Sequence, residues 1–350
     1  MRSPADIAKD TGHHAARIDD AWLRFRGRRA RRRGWSETVL GYTGYGSTGW
    51  VRVLGRVLLS KEPSVLASSS ERRNLVGPGV RGWRNFTSVP VVDAPVRIEI
   101  GDQSFSATTD RGGVLDTKID VALPPGWHTV TLRAGESAHA EADIVVIDPA
   151  TRFGIVSDID DTVMVTALPR PLLAAWHTFV VNEHARTPTP GMAVLYERLA
   201  ALHPESPVIY LSTGPWNVAP TLTRFLSRNL YPPGPLLLTD WGPTQDRWFR
   251  SGPEHKRANL ARLAEEFPDI DWLLVGDDGQ HDEMIYGEFA ERFGDQLAAV
   301  AIRQLTPGEA VLAGGRNRDG ASAAPGRWVY GADGAALAAE LRRVGVMPEA

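Results

Sequence analysis

Two hydrophobic periodicities divide the chain. From Trp35 to about Ile147 apolar positions recur at every second residue in short runs. WVRVLGRVLL (Trp50–Leu59) is the clearest of these, and glycine-rich GYTGYGSTGW leads into it. Further alternating segments lie in PVRIEIGDQSFSATTDRGGVLDTKIDVALPPGWHTVTLRAG and AHAEADIVVID, split by GD, DRGG, PPGW and AGES turns. Turn signals about every 8 to 12 residues between such segments predict short antiparallel strands and a small β-sandwich. The polar stretch over residues 62–88 reads as a long crossover loop. From Phe153 the pattern changes. FGIVS (Phe153–Ser157), VIYLS (208–212), PLLLTD (235–240), DWLLVGD (271–277) and LAAVAIR (297–303) are near-continuous apolar runs of strand length. Helical patterns stand between them, over 166–184, 191–202, 216–229, 255–267 and 283–293. Strands alternating with helices predict a parallel sheet covered on both faces. Residues 304–326 read as loop, and WVYGADGAALAAELRRVG then adds one strand and one helix.

Composition narrows the setting. A chain of 350 residues, 43% apolar and 23% charged, has ample core for two soluble domains. The expected division is a basic N-terminal helix or arm over 1–34, a β-sandwich-like domain over 35–148 and an α/β domain over 149–350. The link Asp148–Arg152 is short, which suggests domains that pack together. With no cysteine, disulfides and thiolate metal sites are excluded. No apolar stretch is long enough to span a bilayer, and the first residues lack the apolar core of a signal peptide. The expected location is therefore cytoplasmic, or peripheral at the inner membrane surface. That second option comes from Arg24–Arg33, where seven arginines occupy ten positions beside Trp22 and Phe25. The run reads either as a solvated basic helix face or as an anchor for anionic membrane headgroups. No nucleic-acid partner is expected, because no recognition motif accompanies it.

Candidate chemistry concentrates where the strands end. Asp158, Asp160 and Asp161 close the first α/β strand, followed by Thr162. Carboxyl ends of parallel strands are where such sheets bind ligands. Like charges this close need a cationic partner, and a hard divalent ion with oxygen ligands suits them. Asp-rich turns also end strands for purely structural reasons. Ser212 and Thr213, then Lys256, then Asp277, Asp278 and Asp282 follow in order. His128, in GWHTVTL, reads as a strand-face residue.

Asp158-x-Asp160-x-Thr162, Ser212, Lys256 and Gly276-Asp277…Asp282 together resemble the four motifs of the haloacid-dehalogenase-like phosphohydrolases. SDIDDTV, Thr189-Pro190-Gly191-Met192, STGPW (Ser212–Trp216), the His255–Lys256 pair and VGDDGQHDEMIYGE bring residues 150–305 closer still. They are similar to the phosphatidate phosphatases of the actin-patch-protein type. The resemblance implies a Rossmann-like fold and Mg²⁺-dependent removal of phosphate from phosphatidate or a related lipid phosphate. Asp158 would attack phosphorus and Asp160 would serve as acid and then base. Asp158, Asp160 (through its carbonyl), Asp277 and Asp282 would hold or support the metal, and Lys256 would neutralise charge. Ser212, Thr162, Thr213, Gly214 and Trp216 would contact substrate. Thr213 is the alternative to Ser212, Arg257 to Lys256, and Asp278 to either acid of its cluster; Asp161 would sit behind the contacts, and His281 either behind them or against the substrate. Two rival readings are a phosphatase of a soluble phosphometabolite or phosphoprotein, and a membrane- or partner-binding module with a vestigial site. The short interval between Thr162 and Val208 leaves no room for a large lid, which favours a bulky or membrane-borne phosphomonoester.

Overall fold

The computed structural model describes residues 25–61, 88–135, 139–165, 187–239, 252–279, 281–312 and 327–349. The expected loop over 62–88 and helix over 166–184 lie almost wholly outside these residues, as does the start of the N-terminal helix. The chain divides into two compact units. The first holds the β-rich half and also takes in residues 215–217 and Thr239.

In that unit a helix of residues 25–32 precedes eight strands. These are β1 (Ser36–Ser47), β2 (Trp50–Ser60), β3 (Val89–Pro90), β4 (Pro95–Ile100), β5 (Gln103–Thr108), β6 (Val114–Asp120), β7 (Gly126–Ala134) and β8 (Ala140–Ile147). They form one hydrogen-bonded sheet in the order β3-β2-β1-β8-β7-β4-β5, with β6 also paired to β2. Strand β2 meets β1, β3 and β6 antiparallel, and β7 does the same with β4 and β8. Two strands lie between β2 and β7 in this order, yet a Cβ placed on Gly55 of β2 would come within 2.9 Å of Leu132 Cδ1 on β7. The sheet therefore curls over its own core, which Val53, Ile98, Leu115, Leu132 and Ile144 fill from several strands. His128 is a strand residue whose Nε2 lies 2.7 Å from the Pro124 carbonyl.

The second unit begins with β9 (Phe153–Ser157). The short strands β10 (Met164–Val165) and β11 (Thr187–Pro188) then pair antiparallel. After them come α1 (Met192–Leu202), β12 (Val208–Pro215), α2 (Ala219–Arg228), β13 (Leu236–Thr239), α3 (Gly252–Glu266), β14 (Asp271–Asp277) and α4 (Asp282–Phe293). The unit closes with β15 (Leu297–Arg303), α5 (Pro307–Leu312), β16 (Trp328–Gly331) and α6 (Gly334–Arg343). The six-stranded sheet runs β13-β12-β9-β14-β15-β16, and β9 is parallel to both of its neighbours. Strand order reverses beside β9, the position at which open α/β sheets form a crevice at their carboxyl ends. Ile155 and Val156 are buried on both faces, as the unbroken apolar run required. The last strand and helix fall where their pattern placed them. Among the described residues, no helix is long and apolar enough to cross a membrane.

Candidate active site

Register brings the chemistry together. Ser157 at the end of β9 stands opposite Tyr210 of β12 and Val275 of β14. Asp158 just beyond β9 and Asp277 at the end of β14 therefore stand at nearly the same level as Ser212, which lies within β12 rather than at its end, because that strand runs on to Pro215. Asp158 is anchored through its own N–H, which donates to the Val275 carbonyl at 2.9 Å. Asp282 reaches the cluster from the first turn of α4, and Gly276 lets it do so. A Cβ on Gly276 would lie 2.5 Å from Asp282 Oδ2 and 2.8 Å from the Tyr286 ring, closer than packed atoms tolerate.

Carboxylate oxygens of Asp158, Asp277 and Asp282 all lie within 4.8 Å of one another, and all three residues are buried. Lys256, from the first turns of α3, is buried among them. Its Nζ donates to Asp158 Oδ1 at 2.7 Å and to Asp282 Oδ1 at 2.5 Å. Asp282 Oδ2 accepts from the Asp277 N–H at 3.3 Å, so this carboxylate ties the lysine to the β14 end. Asp277 Oδ1 accepts from the Gly279 N–H at 2.7 Å. Burial pushes Asp158 and Asp277 up from the ordinary carboxylate range, and neighbouring carboxylates push the same way while Lys256 opposes them. Burial lowers Lys256, but Asp158 and Asp282 outweigh it and hold the ammonium well above its ordinary range. With all three ionised, one cation against three buried carboxylates would leave a negative excess.

Asp160 faces a different partner. Ser212 Oγ donates to Asp160 Oδ2 at 3.0 Å and accepts from the Gly214 N–H at 3.0 Å. Thr213 packs against the start of α3, where a Cβ on Gly252 would come within 2.7 Å of its methyl. The Thr162 hydroxyl is buried with no hydrogen-bond partner among the described residues. Trp216 belongs with the β-rich unit: its ring is buried and stacks on Tyr42 with centroids 4.8 Å apart. Asn217 beside it accepts from Arg56.

Other candidates have structural employment. Asp161 adopts a left-handed backbone (φ 59°) and its N–H donates to the Met164 carbonyl at 2.8 Å. Asp278 accepts from the Leu305 N–H at 2.8 Å, which turns it toward the end of β15. His281 is exposed at the start of α4, and Arg257 pairs with Glu288 at the surface. His255 Nε2 lies 3.3 Å from the Leu237 carbonyl.

Arg303 is a residue that motif reading missed. It is buried at the end of β15, opposite Asp277 in register. Its Nη1 donates to the Asp161 carbonyl at 2.6 Å and its Nη2 to Glu309 Oε1 at 2.7 Å. It thereby braces the loop that carries the aspartates. The available signal was a cation closing an apolar strand run beside the other strand ends.

Comparisons with known proteins agree with the motif resemblance. Residues 153–304 match the family model for the catalytic domain of phosphatidate phosphatase APP1. The phosphatidate phosphatase APP1 of Saccharomyces cerevisiae is 28% identical over 265 residues, spanning 69% of this chain and 44% of the yeast protein. An uncharacterized protein of Schizosaccharomyces pombe is 25% identical over 166 residues, or 47% of this chain and 27% of that one. The chain thus spans less than half the length of these curated relatives. Among solved structures, a carbohydrate acetylesterase from Xanthomonas citri aligns at 8% identity over 75% of this chain and 66% of its own, with a TM-score of 0.26. That likeness is too slight to bear on the fold.

Proposed function

We propose that residues 153–304 bring the chemistry of the matched catalytic domain to this chain. On this reading the chain is a Mg²⁺-dependent phosphatase with a haloacid-dehalogenase-like, Rossmann-type α/β domain. It removes the phosphate of phosphatidate or a related lipid phosphate. The observation that supports this best is the buried set of Asp158, Asp277 and Asp282 bound together by Lys256 at the sheet's crevice.

The donor set fits a hard divalent ion: every candidate ligand is an oxygen, and the negative excess needs a further positive charge. Asp158, Asp277 and the backbone carbonyl of Asp160 would hold Mg²⁺, with Asp282 supporting the site through Lys256. Bound there, Mg²⁺ supplies charge neutralisation at the phosphoryl oxygens.

The protein's own groups divide the remaining work. A carboxylate oxygen of Asp158 attacks phosphorus, forming an aspartyl-phosphate as the bond to the lipid alkoxide breaks. Asp160 delivers its proton to that alkoxide, then accepts one from the water that attacks the aspartyl-phosphate. Inorganic phosphate leaves and the Asp158 carboxylate is restored. Ser212, already bonded to Asp160, and the Thr162 hydroxyl, buried without a partner among the described residues, would donate to the phosphoryl oxygens. Lys256 offsets charge on Asp158 in both halves of the cycle.

A substrate panel tests the reading. Purified protein with Mg²⁺ should release phosphate from phosphatidate in mixed micelles faster than from water-soluble sugar phosphates or a phosphopeptide. A preference for the soluble compounds would overturn the lipid assignment. Absence of turnover on every substrate, an activated aryl phosphate included, would overturn the phosphatase assignment.

A further inference from the structure

The N-terminal arginine run is built into the β-rich unit. Residues 25–32 are helical, and Gly34 ends the helix in a left-handed conformation (φ 77°). The Trp35 N–H donates to the Ala30 carbonyl at 3.1 Å and the Gly34 N–H to the Arg31 carbonyl at 3.0 Å. These are the paired bonds of a Schellman cap. Ala30 is part of the hydrophobic core and Trp35 packs against it. Gly27 is buried too, and a Cβ there would sit 3.9 Å from Leu59 Cδ1. At about 100° per residue, Gly27 and Ala30 share one side of the helix. Phe25 falls on the opposite side, flanked by Arg28, Arg29 and Arg32, with Arg33 at the end. All five are exposed, Phe25 by 55%. Arg31 is paired with Glu37 at 2.7 Å. The other four exposed arginines have no carboxylate partner among the described residues.

We propose that this helix face is a docking surface for anionic membrane lipid. The packed Gly27–Ala30 side fixes which side chains point outward, so the cations form a fixed patch on a chain whose net charge is −3. An exposed aromatic ring on the same face as that patch, at its N-terminal end, is what an interfacial helix uses to enter the headgroup region. A nucleic-acid site has no comparable need for it, and no base-reading motif is present. The proposal deepens the lipid-phosphatase reading, since a bilayer is where such a substrate resides. Its test does not depend on turnover.

Co-sedimentation of the full chain with vesicles of phosphatidylcholine, alone or mixed with phosphatidylglycerol, measures the surface directly. Binding should require phosphatidylglycerol and fall as salt shortens the reach of the charges. Replacing Arg28, Arg29, Arg32 and Arg33 together by serine should weaken it about a hundredfold or more. Phe25→Ser should weaken it about tenfold. These side chains are exposed, so the melting curve and aryl-phosphate hydrolysis should stay as they are in the unaltered protein. Equal binding by the quadruple variant would overturn the proposal, as would failure of the unaltered chain to bind anionic vesicles. Tighter binding to duplex DNA than to those vesicles at the same salt would overturn it as well. If phosphatidate is not hydrolysed but vesicle binding follows this pattern, the substrate reading fails and the docking surface stands.

Discussion

Lys256 carries two carboxylates at once, which makes it the residue whose loss is most informative. Lys256→Met would leave Asp158 and Asp282 buried without their cation, a change that costs about 3–5 kcal/mol when buried pairs are broken. Urea denaturation of this variant should show that loss in chelator, and added Mg²⁺ should recover part of it; unchanged stability in chelator would contradict the ion-pair account. Asp160→Asn should lower turnover by about 10² to 10⁴. The loss should shrink on aryl phosphates, whose leaving groups need no proton; an equal loss on alkyl and aryl substrates would argue against the acid role. Glu309 supplies a pH test. Burial raises its carboxyl, but bonds from Arg303 and Thr306 outweigh burial and hold it below its ordinary value of 4.5. The unfolded chain therefore takes up this proton first as pH falls. The stabilisation is present above about the ordinary value and is lost below it as pH drops through the folded value. Glu309→Gln should be less stable than the unaltered protein at neutral pH, and the difference should narrow in acid; a gap that widens in acid would contradict the sign.

At the scale of elements, the turn from β14 into α4 depends on one missing side chain. Gly276→Ala should destabilise by about 1–3 kcal/mol through overpacking and reduce activity by displacing Asp282 from Lys256. A variant as stable and active as the unaltered protein would show that the turn relaxes freely. Apolar runs ending in Asp or Ser were legible in sequence because burial on both faces leaves no alternation. Glycine-rich residues 41–47 were not read as strand, yet they belong to β1. Backbone contact explains this: a Cβ on Gly41 would lie 2.2 Å from the Glu141 carbonyl oxygen, and one on Gly44 2.2 Å from that of Arg52. Those glycines admit neighbouring strands, a long-range demand that local propensity does not record. Helix α2 starts at Ala219, after a 3-10 turn at Trp216–Val218, where the apolar period alone placed its start at residue 216. Arg303 escaped for a related reason, since its bond to the Asp161 carbonyl joins residues 142 apart in the chain.

The whole molecule joins a β-rich unit to an α/β unit in which the strand-end candidates converge. Motif order made that convergence legible, because parallel strands deliver their carboxyl ends to one edge whatever the intervening helices do. The curl of the β-rich sheet was not legible, since turn spacing fixes strand lengths but leaves open which strands meet across the core. Covalent trapping tests the central claim most directly. Phosphatidate radiolabelled in its phosphate would be mixed with the Mg²⁺-loaded chain, quenched in acid within a turnover and mapped by peptide. The account predicts label on the peptide containing Asp158, and none on an Asp158→Asn variant that folds normally. Label on another residue, or undiminished phosphate release by that variant, would contradict it.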